Sequence, residues 1–143
     1  MKLTDTFSLE PFVKSDTASR LKIDNTPSAE VEAKLRDLYE NLLKPLMDML
    51  PGEFNVTSGF RCNKLNAAVK GKPTSQHVKG EAADIEYREG GVENNMTLYN
   101  KVVSSGLEFD QCIKEYPDRT GNPRWIHLSY RKGNNRNMKL TVA

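Results

Sequence analysis

The chain predicts an α+β fold, with N-terminal helices packed on a small antiparallel sheet. Three observations predict it. Apolar residues recur at helical spacing from Pro27 to Leu50, short strand-like runs dominate the second half, and two of those runs, 109–116 and 124–131, read as a hairpin.

Residues 7–23 read as an extended entry followed by a short helix, for which Ser15 and Asp16 are the two candidate caps. Asn25-Thr26-Pro27 is a start signal, with Thr26 as N-cap and Pro27 in the first helical position. Val31, Leu35, Leu38, Leu42, Leu46 and Met49 then mark one face of an amphipathic helix that Pro51-Gly52 ends. Pro45 lacks an N–H and must kink or divide that helix. Phe54 to Thr57 is a strand, Asn63 to Val69 a helix, and Gly71-Lys72-Pro73 a stop. A loop bearing Ser75 and His77 leads through Gly80 into a strand from Ala82 to Tyr87. Gly90 to Asn95 is a loop, and a further helix covers Thr97 to Ser105.

The length of 143 residues suits one domain over residues 1–143. A net charge of +2 is too small to imply nucleic acid, and none is expected as a partner. Residues 131–143 read as a basic C-terminal tail, since Arg131, Lys132, Arg136 and Lys139 fall together without an acid; a solvated tail of this kind can rest on an anionic polymer. No run approaches the roughly 20 apolar residues of a membrane helix, so membrane insertion is not expected. Met1 to Pro11 shows no apolar signal-peptide core, which predicts a protein made in the cytoplasm. Cys62 and Cys112 lack metal-type spacing and are expected to be buried free thiols.

The chemistry concentrates in Ser75-Gln76-His77-Val78-Lys79-Gly80-Glu81-Ala82-Ala83-Asp84 and in Trp125-Ile126-His127-Leu128-Ser129, which hold the only two histidines. Two imidazoles and a carboxylate form a three-ligand set that suits a catalytic zinc and leaves a fourth position for water. Strand alternation puts Ile85 and Tyr87 on one face and Asp84 and Glu86 on the other; likewise Ile126, Leu128 and Tyr130 oppose Trp125, His127 and Ser129. If both apolar faces pack on the same helices, Asp84 and His127 emerge together, and His77 folds over as the third ligand. Gly80 and the alanines permit that close approach.

These blocks, with Thr57-Ser58-Gly59-Phe60-Arg61, Leu65-Asn66 and Phe109-Asp110-Gln111, resemble the zinc D-alanyl-D-alanine carboxypeptidases and the related peptidase endolysins of bacteriophages. The resemblance runs from about Phe7 to Tyr130 and implies a domain shared in outline with the hedgehog signalling domain. It implies one zinc per chain, held by His77, Asp84 and His127, and hydrolysis of peptidoglycan stem peptide or crossbridge by a carboxypeptidase or endopeptidase. It further implies a monomeric phage lysis enzyme that acts on the cell wall after release. Arg61 is expected to bind a substrate carboxylate or polarise the scissile carbonyl, and Ser75 to line the site. Several members of the family it resembles carry an acid three residues before the last histidine, where this chain has Arg124. Glu115 is therefore the expected general base, with Asp110 and Asp118 as fallbacks. Trp125 is expected either to wall the substrate site or to anchor the core, and Glu81 and Glu86 to be solvated charges. The missing acid at Arg124 also leaves a second reading, a non-catalytic wall-binding or virion module that keeps the fold.

Overall fold

From its N-terminus the chain enters through two short helices, α1 (Glu10–Val13) and α2 (Asp16–Leu21), in a computed structural model that describes residues 1–143. Ser15 is the cap of α2: its Oγ accepts the Ala18 N–H at 3.1 Å. The next start differs from expectation. Asp24 Oδ1 accepts both the backbone N–H and the hydroxyl of Thr26, at 3.0 and 2.6 Å, so the Thr26 side chain is committed to a turn. Ser28 caps instead, accepting from Val31 N at 3.2 Å, and α3 spans Ala29–Leu38.

Pro45 divides the long helix by one identifiable device. A π-helical turn, Tyr39–Leu43, separates α3 from α4 (Lys44–Met49), and the Lys44 N–H reaches back five residues to the Tyr39 carbonyl. The extra residue in the turn relieves the missing proline donor and the ring's clash with the preceding turn. The apolar stripe survives the break: Leu35, Leu38, Leu42, Leu43 and Leu46 are all fully buried.

The stripe packs on a six-stranded sheet composed of β1 (Glu53–Ser58), β2 (Ala82–Glu89), β3 (Val92–Glu93), β4 (Gln111–Glu115), β5 (Trp125–Ser129) and β6 (Met138–Val142). Strand order is β1-β2-β5-β4-β6, with β3 paired on β2. Ala83, Ile85, Tyr87, Cys112, Ile126 and Leu128 point to the helical side and are fully buried there, joined by Leu98 and Val102 of α7 (Asn95–Ser104). Two further short helices, α5 (Asn63–Ala68) and α6 (Gln76–Lys79), lie between β1 and β2 in sequence. No helix is long and apolar enough to cross a membrane.

The sheet is mixed rather than antiparallel. β6 runs parallel to β4, pairing Gln111 with Met138 through to Glu115 with Val142, so the basic C-terminal stretch is in part a sheet strand and not a free tail. Asp110 pins that strand. Its carboxylate is fully buried and accepts from Arg136 Nε and Nη2 at 2.9 and 2.8 Å and from the Arg136 backbone N–H at 3.1 Å. Ionic hydrogen bonds from Arg136 outweigh desolvation and hold the Asp110 carboxyl below its ordinary value. Such a group contributes stability that is fully present above its unfolded pKa of about 3.9 and is lost as pH falls through the folded value. Asp110→Asn should therefore lower the urea midpoint at pH 7. The gap from the parent protein should narrow as pH drops below about 4; a gap that stays constant down to acid unfolding would contradict the ionic origin.

Candidate metal centre

β2 and β5 pair so that Asp84 stands directly across from His127, with Ala83 opposite Leu128 and Ile85 opposite Ile126. Since Ile85, Ile126 and Leu128 face the helices, Asp84 and His127 must face away from them. On that helix-poor face Asp84 Oδ1 lies 3.2 Å from His127 Nδ1 and 3.3 Å from His77 Nε2. Ligand atoms of the three residues all lie within 4.8 Å of one another, and all three side chains are buried.

His77 sits on the one-turn helix α6 rather than in a loop. Ser75 caps that turn, accepting from His77 N at 3.2 Å, and Gly80 closes it in a left-handed conformation at φ +76°. A Cβ at Gly80 would also lie 2.8 Å from Val31 Cγ1, so α6 packs closely on α3 only because the residue is glycine. The imidazole is oriented by a backbone acceptor, Gly59 O, 2.7 Å from Nδ1. Gly59 in turn presses on α1, where a Cβ would meet the Phe12 carbonyl oxygen at 2.3 Å.

The chemistry of this donor set fits a metal ion. A carbonyl oxygen only accepts, so His77 carries its hydrogen on Nδ1 and turns the Nε2 lone pair toward Asp84. Burial opposes ionisation of Asp84, so its carboxylate needs a positive charge beside it. A carboxylate oxygen facing an imidazole lone pair is repulsive unless a cation lies between them. Ligands of a tetrahedral zinc at about 2.0–2.1 Å stand about 3.3 Å apart, which matches both contacts to Asp84.

Arg61 approaches this centre from the β1–α5 connection. Its guanidinium donates to Asn66 Oδ1, Ser58 Oγ and Ser75 Oγ at 3.1, 3.2 and 3.4 Å. Desolvation lowers its pKa, while the negative charges of Asp84 and Glu115 oppose that change. Asn25 anchors the segment: its side chain donates to Val13 O and Phe60 O at 2.9 and 3.0 Å and accepts from Cys62 N at 2.8 Å. Nothing in the sequence pattern singles out Asn25 for this task, although it stands in the helix-start motif.

Glu115 pairs with Trp125 across the β4–β5 hairpin and lines the same cavity, of about 690 Å³, as Arg61, Ser75, His77, Asp84 and His127. Desolvation raises its pKa and the charge of Asp84 adds to the effect, while His127, His77 and the nearby Trp125 indole work weakly against it. The indole N–H is itself buried without a partner at hydrogen-bonding geometry. Trp125 lines two cavities and stands outside the core cluster.

Four expectations change. Asp110 is clamped by Arg136 and Gln76 and is not an available base. Asp118 is exposed and holds a turn through Thr120 and Asn122, away from the residues lining the centre. Glu81 is buried rather than solvated, with Lys34 Nζ at 3.9 Å and Arg131 Nε at 4.0 Å. Glu86 is only partly exposed and lines a second cavity. Arg124, three residues before His127, is exposed and outside both of these cavities. Gln76, between Asp110 and His127, is a member of the site that residue spacing alone did not single out.

His77→Ala should leave too few protein ligands to retain zinc. Elemental analysis of the dialysed variant should show zinc far below the parent's content; equal content would remove His77 from the ligand set.

A comparison with protein families matches residues 5–129 to the family described as Peptidase M15. No curated protein matches the chain.

Proposed function

The chain belongs to the Peptidase M15 family, a family of zinc peptidases, and on that premise we propose that it hydrolyses peptide bonds in bacterial peptidoglycan. The single observation that carries the reading is the convergence of His77, Asp84 and His127 on one cavity that also holds Arg61 and Glu115. His77 Nε2, Asp84 Oδ1 and His127 Nδ1 are the atoms that would hold zinc. Zinc bound there supplies Lewis acidity and lowers the pKa of the attacking water from about 15.7 toward 7.

Glu115 is the base. Its carboxylate takes a proton from the attacking water and returns it to the leaving amine. The raised pKa suits both transfers, because a carboxyl closer to neutrality holds that proton better between the two steps. Arg61 faces the carbonyl side: its guanidinium, fixed by Ser58, Ser75 and Asn66, places positive charge where negative charge develops on oxygen or where a peptide carboxylate binds. Trp125 supplies an apolar wall for the peptide.

The shape of the site favours an endopeptidase. A second cavity of about 910 Å³, lined by Glu53, Thr57, Glu86 and Arg88 among others, adjoins the first and shares Arg61, Val69, Asp84 and Trp125 with it. A substrate can therefore extend in both directions from the three ligands, whereas a carboxypeptidase needs one closed end. The resemblance to phage endolysins supports a lysis role.

Purified peptidoglycan should be solubilised, the activity lost to chelator and restored by zinc, with internal peptide cuts identified by mass spectrometry of the new termini. Release of single terminal residues would make the enzyme a carboxypeptidase. Zinc binding with no cleavage of any wall preparation would favour the binding-module reading. Glu115→Gln should retain zinc and lose about 10²–10⁴-fold in kcat; a kcat within a few-fold of the parent would remove Glu115 as the base.

A further inference from the structure

Asp110 is joined to His127 through one side chain, Gln76. The Gln76 amide nitrogen donates to Asp110 Oδ2 at 2.7 Å, and its amide oxygen lies 3.4 Å from His127 Nε2. An amide can present either end until a partner with only one capacity fixes it. Asp110 is that partner. Gripped by the Arg136 side chain through two hydrogen bonds and by its backbone N–H, the carboxylate is ionised and only accepts. The Gln76 NH₂ must face Asp110, so its oxygen must face the ring of His127.

An acceptor beside Nε2 favours hydrogen on that nitrogen and leaves Nδ1, 3.2 Å from Asp84 Oδ1, with a free lone pair. His77 is set the opposite way. Its Nδ1 hydrogen goes to Gly59 O, leaving Nε2 toward Asp84. The two imidazoles thus present different nitrogens to one centre, and each choice depends on its own acceptor. We infer that Gln76, oriented by Asp110 and Arg136, is a positioning residue that selects the ring nitrogen His127 offers to the metal. The inference rests on the reading of His127 as a metal ligand. It gives the basic C-terminal stretch a task at the site, because Arg136 is the far end of the chain of contacts.

The test uses the full chain with Gln76→Met, which keeps an unbranched side chain but removes both polar ends, beside Gln76→Ala and His127→Ala. Zinc affinity is measured by competition with a chromophoric chelator, the melting temperature is read on zinc-free protein, and the His127 Nε2–H resonance is followed in ¹⁵N-histidine-labelled, zinc-loaded protein. Both Gln76 variants should bind zinc about 10–100-fold more weakly, melt near the parent's temperature without zinc, and lose the slowly exchanging Nε2–H signal. Parent-like zinc affinity in both, or an Nε2–H signal that exchanges as slowly as the parent's, would overturn the inference and leave the zinc reading standing. If His127→Ala binds zinc as tightly as the parent, the ligand assignment itself falls and the inference with it. A fall in melting temperature does not decide the matter, because the Nε2–H signal reports the contact whether or not stability changes.

Discussion

The position of Asp84 directly across from His127 is the constraint on which the rest of the site depends. Side chains alternate along a strand, so a slip of one residue between β2 and β5 would turn every side chain of the moving strand to the other face. Asp84 would enter the core, and Ile85 and Tyr87 would leave it. All the apolar members of that pairing, Ala83, Ile85, Ile126 and Leu128, are fully buried, and each large one contributes about 1.5–3 kcal/mol by staying so. A slip would forfeit several such contributions together, which is a large part of the stability of an ordinary domain. Apolar packing on one side of the sheet therefore fixes polar geometry on the other.

His77 has no such protection, because it is not on a strand. Its place comes from backbone contacts between connecting segments. Arg61 N donates to His77 O at 3.1 Å, Gly59 O accepts from the His77 ring, and Phe60 N donates to Phe12 O at 2.6 Å. Asn25 ties the same segment to the end of α1. The N-terminal third of the chain thus serves as a brace behind the β1–α5 connection. It also explains why Gly59 must lack a side chain: the brace and the ligand's acceptor meet at that residue.

The part of this arrangement that was legible in the sequence is the part governed by periodicity. The leucine stripe, the alternation in 82–87 and 124–130, and the hairpin turn each impose a repeat that survives into the structure. Those repeats put Asp84 and His127 on one face once both apolar faces pack on the same helices. What the sequence did not reveal depends on which of several polar groups wins a hydrogen bond. Thr26 looked like the cap until Asp24 took its hydroxyl, and Ser28 capped α3 instead. The run from Arg131 to Lys139 looked like a solvated tail because its main partner, Asp110, lies more than twenty residues away in sequence. Parallel pairing of β6 with β4 was equally hidden, since the charges and glycine between β5 and β6 mask the strand signal.

Asp110 and Glu115 show how one short segment of chain assigns two acids to different work. Asp110 immediately precedes β4 and Glu115 is its last residue, and both were candidates for the same role. Asp110 meets a guanidinium, a backbone N–H and an amide, which hold it ionised and use its acceptor capacity; such a carboxylate has little affinity for a proton and no freedom to approach a substrate. Glu115 has no cation in hydrogen-bonding contact, is partly desolvated, and feels the charge of Asp84, so its proton affinity rises. Carboxyls whose environments push them apart in this way divide into a fixed anion that organises and a titratable group that transfers protons. Exchanging the two identities would fail in both places. A glutamate beside Arg136 would disturb the contact to Gln76, and an aspartate at 115 would draw the carboxyl back toward the strand, away from the cavity it must reach into.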